Sequence, residues 1–345
     1  MKAGITPFRI GVGIIVALVV AMVVLQRIRS SDYLIVPDTA HPVAPLVHVK
    51  GGKPTNGSGK LFFVDIQEEQ PSKLHDLFRW LGLASDPAHS TRVPASILIP
   101  HGSTGQEYHH AELRQMASSQ LIAGAVAERQ VGLNVVEIPN GVLVDNIYSD
   151  VPAASKIGPA DIIVAANGKP TLTLHALERA LAPVKPGGTV VLKILRGSQT
   201  MNVQIRTVHD PKDRKRALVG IEAENSARIA HLPVPVSIDS GNIGGPSAGL
   251  AFTLEVMQQL GANVTHGYKV AATGTISLNG AVGPIGGMVQ KTWGVRAAGA
   301  QVFLVPRGAD NFRDARVNAG PNLRIIPVTS LKQALHALAA LPKLK

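Results

Sequence analysis

The 345-residue chain contains no cysteine, which excludes a disulfide framework, a thiolate metal site and a cysteine nucleophile. Aromatic residues make up only 4% of it, too few to build stacking platforms for single-stranded nucleic acid. Acidic residues are fewer than basic ones, 23 against 34, and the formal net charge is +11. A positive surface of that kind can attract anionic lipid or cell-wall polymer. The basic residues are scattered, however, and the one short cluster, Lys212-Asp213-Arg214-Lys215-Arg216, reads as a solvated linker. No nucleic-acid partner is expected. There is no HExxH pattern. His109-His110 are adjacent and point to different faces of a helix, so no metal is expected. A nucleotide loop is also missing: Gly57-Ser58-Gly59-Lys60 has the wrong spacing, and Leu61 stands where a serine or threonine is required. No cofactor is expected.

A long apolar run occurs once. From Ile10 to Leu25 the chain reads IGVGIIVALVVAMVVL without a charge, between Arg9 and Arg27. A bilayer core needs about 20 residues of helix, and Phe8, Ile28 and the snorkelling arginines extend the run toward that length. Gln26-Arg27-Ile28-Arg29 is a poor signal-peptidase site, so an uncleaved transmembrane anchor over residues 1–31 is expected. Lys2 and Arg9 on one side balance Arg27 and Arg29 on the other, so charge does not set the orientation.

The stretch Gly244-Gly245-Pro246-Ser247-Ala248-Gly249 precedes an apolar helix with Leu250, Ala251, Phe252, Leu254, Val256 and Met257. Pro246 suits a first helical position, and the glycines permit a tight turn that leaves Ser247 accessible. Ser247 would then sit at the positive end of a helix, where free N–H groups stabilise an oxyanion. Taken alone, the hexapeptide suits a glycine-rich loop entering a core helix equally well. No histidine lies near Ser247 in sequence. A lysine kept neutral in an apolar pocket can serve as its base. Lys291 follows Gly286-Gly287-Met288-Val289-Gln290 in the first turns of a helix, with Met288, Val289 and Trp293 expected nearby; a solvated surface lysine is the alternative.

GPSAG, followed by Thr273-Gly274-Thr275-Ile276 and by Pro284-Ile285-Gly286-Gly287 before Lys291, resembles the proteolytic domain of Lon proteases. The resemblance runs through Val302–Pro306 and Leu323–Val328 to the final helix. It implies that Ser247 is the nucleophile and Lys291 its general base. Thr273 would orient the lysine, and Gly245, Pro246 and Ala248 would support the turn. Where cytosolic Lon carries an acidic residue three positions before the serine, this chain has Gly244. GGPSAG is instead similar to the membrane-anchored, PDZ-containing Lon-like proteases of bacteria, the YlbL type.

From Val131 to Val208 the pattern is β-rich. Val142–Ile147 reads as a strand, Asp161–Ala166 as another that ends in the Asn167-Gly168 turn, and Leu174–Leu181 as a helix; two more strands follow. Together with Ser149-Asp150-Val151-Pro152-Ala153-Ala154, this order is similar to a PDZ domain of the HtrA-like kind. Ala160 stands where a glycine is usual. PDZ domains add an extended chain as a strand. The resemblance places that groove between Gly141-Val142-Leu143-Val144 and the helix of His175 to Leu181.

The expected fold class is α/β: an N-terminal transmembrane helix (1–31), a mixed region without an assigned role (32–130), a β-rich PDZ-like domain (131–210) and a C-terminal α/β Lon-type proteolytic domain (211–345). The expected activity is ATP-independent cleavage of protein or peptide substrates by a Ser247–Lys291 dyad. By resemblance, the chain is a single-pass protein of the cell membrane, its catalytic part is extracellular, and a homo-hexamer is the assembly. Two rivals remain: a non-cleaving, membrane-tethered PDZ adaptor, and a serine hydrolase using a distant histidine such as His231 or His266.

Overall fold

The computed structural model describes residues 7–53, 59–99, 104–148, 150–197 and 199–343, with the side chains of 7–10 and 309 excluded. Lys2, the side chain of Arg9, Gly57-Ser58 of the would-be phosphate loop, and Ser149 of the PDZ-like motif lie outside the described residues.

The larger part of the molecule is built on a five-stranded sheet in the order His41–Pro42, Lys60–Phe63, Lys269–Ala272, Val302–Pro306, Arg324–Val328. The last four strands are parallel and the first is antiparallel. Parallel strands are covered on both faces, and their side chains alternate between two cores. Leu61, Phe63, Val270, Ala272, Val302 and Leu304 enter one core, with helices Gly105–Gln130, Gly249–Gln259 and Leu331–Ala339. Phe62, Val64, Ala271, Phe303 and Val305 enter the other, with helices Met288–Ala297 and Ala309–Asn318. The result is a helix–sheet–helix sandwich.

The described residues of 32–130, the mixed region without an assigned role, are part of this sandwich. Lys60–Phe63 lies in the middle of the sheet, beside Lys269–Ala272. The long helix Gly105–Gln130 starts at a capping box formed by Thr104 and Glu107, and buries Met116, Ala123, Val126 and Ala127 against the nucleophile helix. Val47–Val49 pairs with Val236–Ile238. A small antiparallel sheet, Ile66–Glu69, Asp32–Pro37 and Thr91–Pro94, closes over the lysine helix.

Between the two contributions to the sandwich, the chain forms a β-rich unit with its own core of Val142, Ile163, Leu177, Val190, Leu192, Ile194 and Ile205. The Asn167-Gly168 turn joins Ile162–Ala166 to Lys169–Pro170 with positive φ at both residues, 48° and 77°, as a type I′ turn requires. Ala160 takes φ 65°, the left-handed conformation that a glycine would adopt without strain.

The N-terminal helix is Pro7–Arg27. Among the described residues, no helix is long and apolar enough to cross a membrane. The described side chains of this helix begin at Gly11, and from there to Arg27 it rises roughly 25 Å, short of the ~30 Å hydrocarbon core. The expected transmembrane helix is therefore not established by the fold. The visible feature is an apolar helix with exposed Val12, Ile14, Ile15, Leu18, Val20 and Val23.

Candidate active site

The nucleophile helix begins at Gly249, three residues later than Pro246 at its first position would require. Pro246, Ser247 and Ala248 form a turn at its head, where the N–H of Gly249 donates to the Pro246 carbonyl at 3.2 Å. Four neighbours fix this turn. The Ser247 carbonyl accepts from the Gly274 N–H at 2.8 Å and from Thr273 Oγ1 at 3.2 Å. The Gly245 N–H donates to the Glu112 carbonyl at 2.9 Å, and Ser119 Oγ donates to the Pro246 carbonyl at 3.2 Å. Gly245, at φ 79°, supplies the reversal. Gly249 has no room for a side chain: a Cβ there would lie 2.7 Å from Ser119 Oγ and 2.9 Å from Ile276 Cγ2. Thr273 thus ties down the serine's own backbone, whereas the resemblance gave it the lysine to orient.

Lys291 is 3% exposed, and its Nζ lies 2.6 Å from Ser247 Oγ, donating as the ammonium. Once neutral, the amine accepts the hydroxyl proton across the same contact. The lysine helix starts from Gly287, at φ 66° packed under Ile66, and the Lys291 N–H donates to the Gly287 carbonyl at 2.9 Å. Met288, one turn earlier, is buried with the lysine. Trp293, two positions on, turns the other way, stacks on His89 and lies under the Arg296 guanidinium. Burial pushes the Lys291 ammonium down to about 8, against the opposing pull of the Asp65 and Glu112 carboxylates.

The pair opens into a cavity of about 1130 Å³. Its walls include Glu68, Tyr108 and Glu112 from the N-terminal region, the strand end Leu143–Asn146, and Glu222 and Glu224. Tyr108 donates to Glu112 at 3.1 Å and to Glu68 at 3.4 Å. Burial, and then the nearby Glu112 carboxylate, push Glu68 up to about 7. Nothing in sequence pointed to these three residues, because they face the site only through the fold. His231 and His266 are exposed and do not line the cavity; His109 lines it from the long helix. Asp38, His41 and Asp65 bring one metal-binding atom each within 4.8 Å of one another; Gln67 donates to Asp38 at 3.0 Å, and His41 lies 3.7 and 3.8 Å from the Asp38 and Asp65 carboxylates.

The peptide edge expected at Gly141-Val142-Leu143-Val144 is not free. Val142 and Leu143 pair with Ile163 and Ile162 on one side. On the other, all four residues pair with the strand Ile221–His231.

The site is thus a buried serine–lysine pair at the head of a helix in an α/β sandwich joined to a small β-rich unit. Comparison with known proteins agrees. Residues 130–207 match the PDZ domain family, and residues 213–340 match the Lon protease (S16) C-terminal proteolytic domain. The chain therefore carries a PDZ domain and a Lon-type proteolytic domain. The Lon protease of Rickettsia typhi is 36% identical over 100 residues, 28% of this chain and 13% of that protein. For the Lon protease of Rhizobium meliloti the figures are 35% over 118 residues, 34% and 14%. The chain thus spans only a small part of the length of these curated relatives. The crystal structure of the PDZ domain of an SdrC-like protein from Listeria monocytogenes is 25% identical, with a TM-score of 0.23, covering 24% of this chain and 87% of that one.

Proposed function

We propose that this chain is a nucleotide-independent serine endopeptidase with a Ser247–Lys291 dyad. The observation that carries this reading is the 2.6 Å contact between Lys291 Nζ and Ser247 Oγ, made by a lysine buried enough to be neutral near pH 8. Neutral Lys291 takes the hydroxyl proton as Oγ bonds to the peptide carbonyl carbon. The backbone N–H groups at the head of the helix hold the oxyanion. Lys291 then gives its proton to the leaving amine as the C–N bond breaks. Water, deprotonated by Lys291, hydrolyses the acyl ester, and Ser247 recovers its proton. The reaction so written uses only Ser247, Lys291, backbone N–H groups and water, so no nucleotide takes part in it.

Gly244, the preceding PDZ domain and the apolar N-terminal helix support kinship with the YlbL type. That helix has 21 residues, and its run from Ile10 to Leu25 carries no charge before Arg27 at its end. We assign it as a single-pass anchor, with the catalytic part outside the cytoplasm as in that type. A homo-hexameric ring follows from the same likeness. The PDZ domain serves substrate binding or gating.

The test is cleavage of casein by the full chain in detergent, without ATP, beside Ser247→Ala and Lys291→Ala. The parent is expected to cleave, and both variants to lose at least about a thousandfold. Activity surviving Lys291→Ala would remove the lysine from its role and favour a histidine. A parent that neither cleaves nor labels at Ser247 with a fluorophosphonate would favour the adaptor.

A further inference from the structure

The sheet of the PDZ domain continues past the end of that domain. Residues 130–207 supply four strands in the order Gln199–Arg206, Thr189–Arg196, Ile162–Ala166, Val136–Ile147. Val136–Ile147 would be an open edge, the place where a PDZ domain adds an extended peptide. The antiparallel strand that covers it, Ile221–His231, belongs to the proteolytic match. Pairing runs from Ile221 opposite Ile147 to His231 opposite Val136, with Asn225 opposite Val142 and Ser226 opposite Gly141. The neighbouring helix holds the same strand: the N–H of Leu174, its first residue, donates to Asn225 Oδ1 at 2.7 Å. Ile221 and Ala223 pack on the PDZ core. The added strand therefore has what a bound peptide would have: main-chain pairing along one side, a helix on the other, and small apolar side chains directed into the core.

This strand also reaches the catalytic cavity. Glu222 and Glu224 line it together with Ser247 and Lys291, and Glu224 has Ser277 as its hydrogen-bonding neighbour. Beyond His231 the chain passes through Val236–Ile238, held by Val47–Val49, and arrives at Ser247.

We propose that Ile221–His231 is the built-in ligand of the PDZ domain: it fills the peptide edge in cis, and an external extended peptide takes that edge only by displacing it. The competing partner is an extended segment of similar chemistry, with small apolar residues between polar ones. Displacement would strip Glu222 and Glu224 from the cavity wall, so occupancy of the PDZ edge is communicated to the catalytic domain. This inference rests on the PDZ assignment and not on the proposed chemistry. A binding experiment therefore decides it whether or not the chain cleaves.

The probe is a fluorescein-labelled peptide with the chain's own sequence IEAENSARIAH, titrated onto the full chain and read by anisotropy. In Asn225→Ala the cis strand loses its bond to Leu174 while the probe keeps its asparagine. The probe should bind this variant about tenfold tighter than the parent, the equivalent of one hydrogen bond. The second variant carries Ile138→Cys and Arg228→Cys, an exposed facing pair. Facing residues lie within disulfide reach, and the cysteine-free parent allows no other bridge. Oxidised, it should show no saturable binding; reduction should restore it. Equal binding by the oxidised and reduced forms, or no gain in Asn225→Ala, would overturn the proposal.

Discussion

Lys291 combines two properties that oppose each other: burial makes it a base and also makes it costly to fold. Its ammonium is held down to about 8 from an ordinary 10.5. Activity that needs the neutral amine should rise with pH, close to tenfold per pH unit below about 8, and level off above it. Hydrolysis of a fluorogenic peptide between pH 6 and 10 measures this. The stability effect has the same sign. Between about 8 and 10.5 the unfolded chain holds a proton that the folded chain lacks, so stability rises across that window. Below about 8 the penalty is fully present. Lys291→Met should therefore abolish activity while adding about 1–2 kcal/mol of stability at pH 7, read as a higher urea midpoint. Asp65 and Glu112 act against burial by favouring the ammonium. Glu112→Gln removes one of these charges, so the rise in activity should move to lower pH; an unmoved or upward-shifted rise would show that Glu112 does not act on the lysine.

At the scale of elements, the site depends on two helices that approach unusually closely. Helix Gly105–Gln130 presents Ser119 to the start of the nucleophile helix, and Glu112 to the turn before it. Gly249 is the point of closest approach, with no space for a methyl group. Gly249→Ala should destabilise the fold by about 1–3 kcal/mol, because neither the Ser119 side of the contact nor Ile276 can withdraw freely. It should also lower kcat, since the displaced turn carries Ser247. A thermal melt together with steady-state kinetics checks both. The nucleophile helix itself is buried from Gly249 to Met257, which suits its place between the sheet and the long helix.

At the scale of the whole molecule, the proteolytic domain is made from two separated pieces of chain. Lys60–Phe63 is an interior strand of its sheet, and the long helix closes one of its cores. Residues 211–345 expressed alone should therefore fail to fold cooperatively, giving a broad or absent urea transition, whereas residues 32–345 should give a cooperative one. The proposed anchor is tested by flotation. The full chain should rise with vesicles of anionic and zwitterionic lipid through a density gradient and stay with them in high salt, and residues 32–345 should not. A helix inserted by its apolar side chains resists salt, and adsorption driven by the +11 charge does not.

Several features could be read directly from the order of residues, because their causes are local. Asn167-Gly168 announced a tight turn, and Leu174–Leu181 read as the helix that it forms. GGPSAG and the glycine-rich approach to Lys291 marked the two halves of the site through their resemblance to the Lon motifs, since the hexapeptide alone suits a loop entering a core helix equally well. Other features depend on which segments meet in space, and no local pattern records that. The 2.6 Å contact, the cavity wall of Glu68, Tyr108 and Glu112, the turning of Trp293 away from the lysine, and the work of Thr273 on the Ser247 carbonyl all belong here. So does the strand Lys60–Phe63, whose apolar residues describe a buried strand without naming its neighbour. The occupied PDZ edge is the clearest case. Val142–Ile147 reads as a strand in the sequence, but nothing there marks Ile221–His231 as a strand or as its partner, and only main-chain pairing, which any two strands can make, joined them. Local chemistry determined the turns, the caps and the identity of the serine and the lysine. Packing between distant segments decided what surrounds that pair, and what fills the groove beside it.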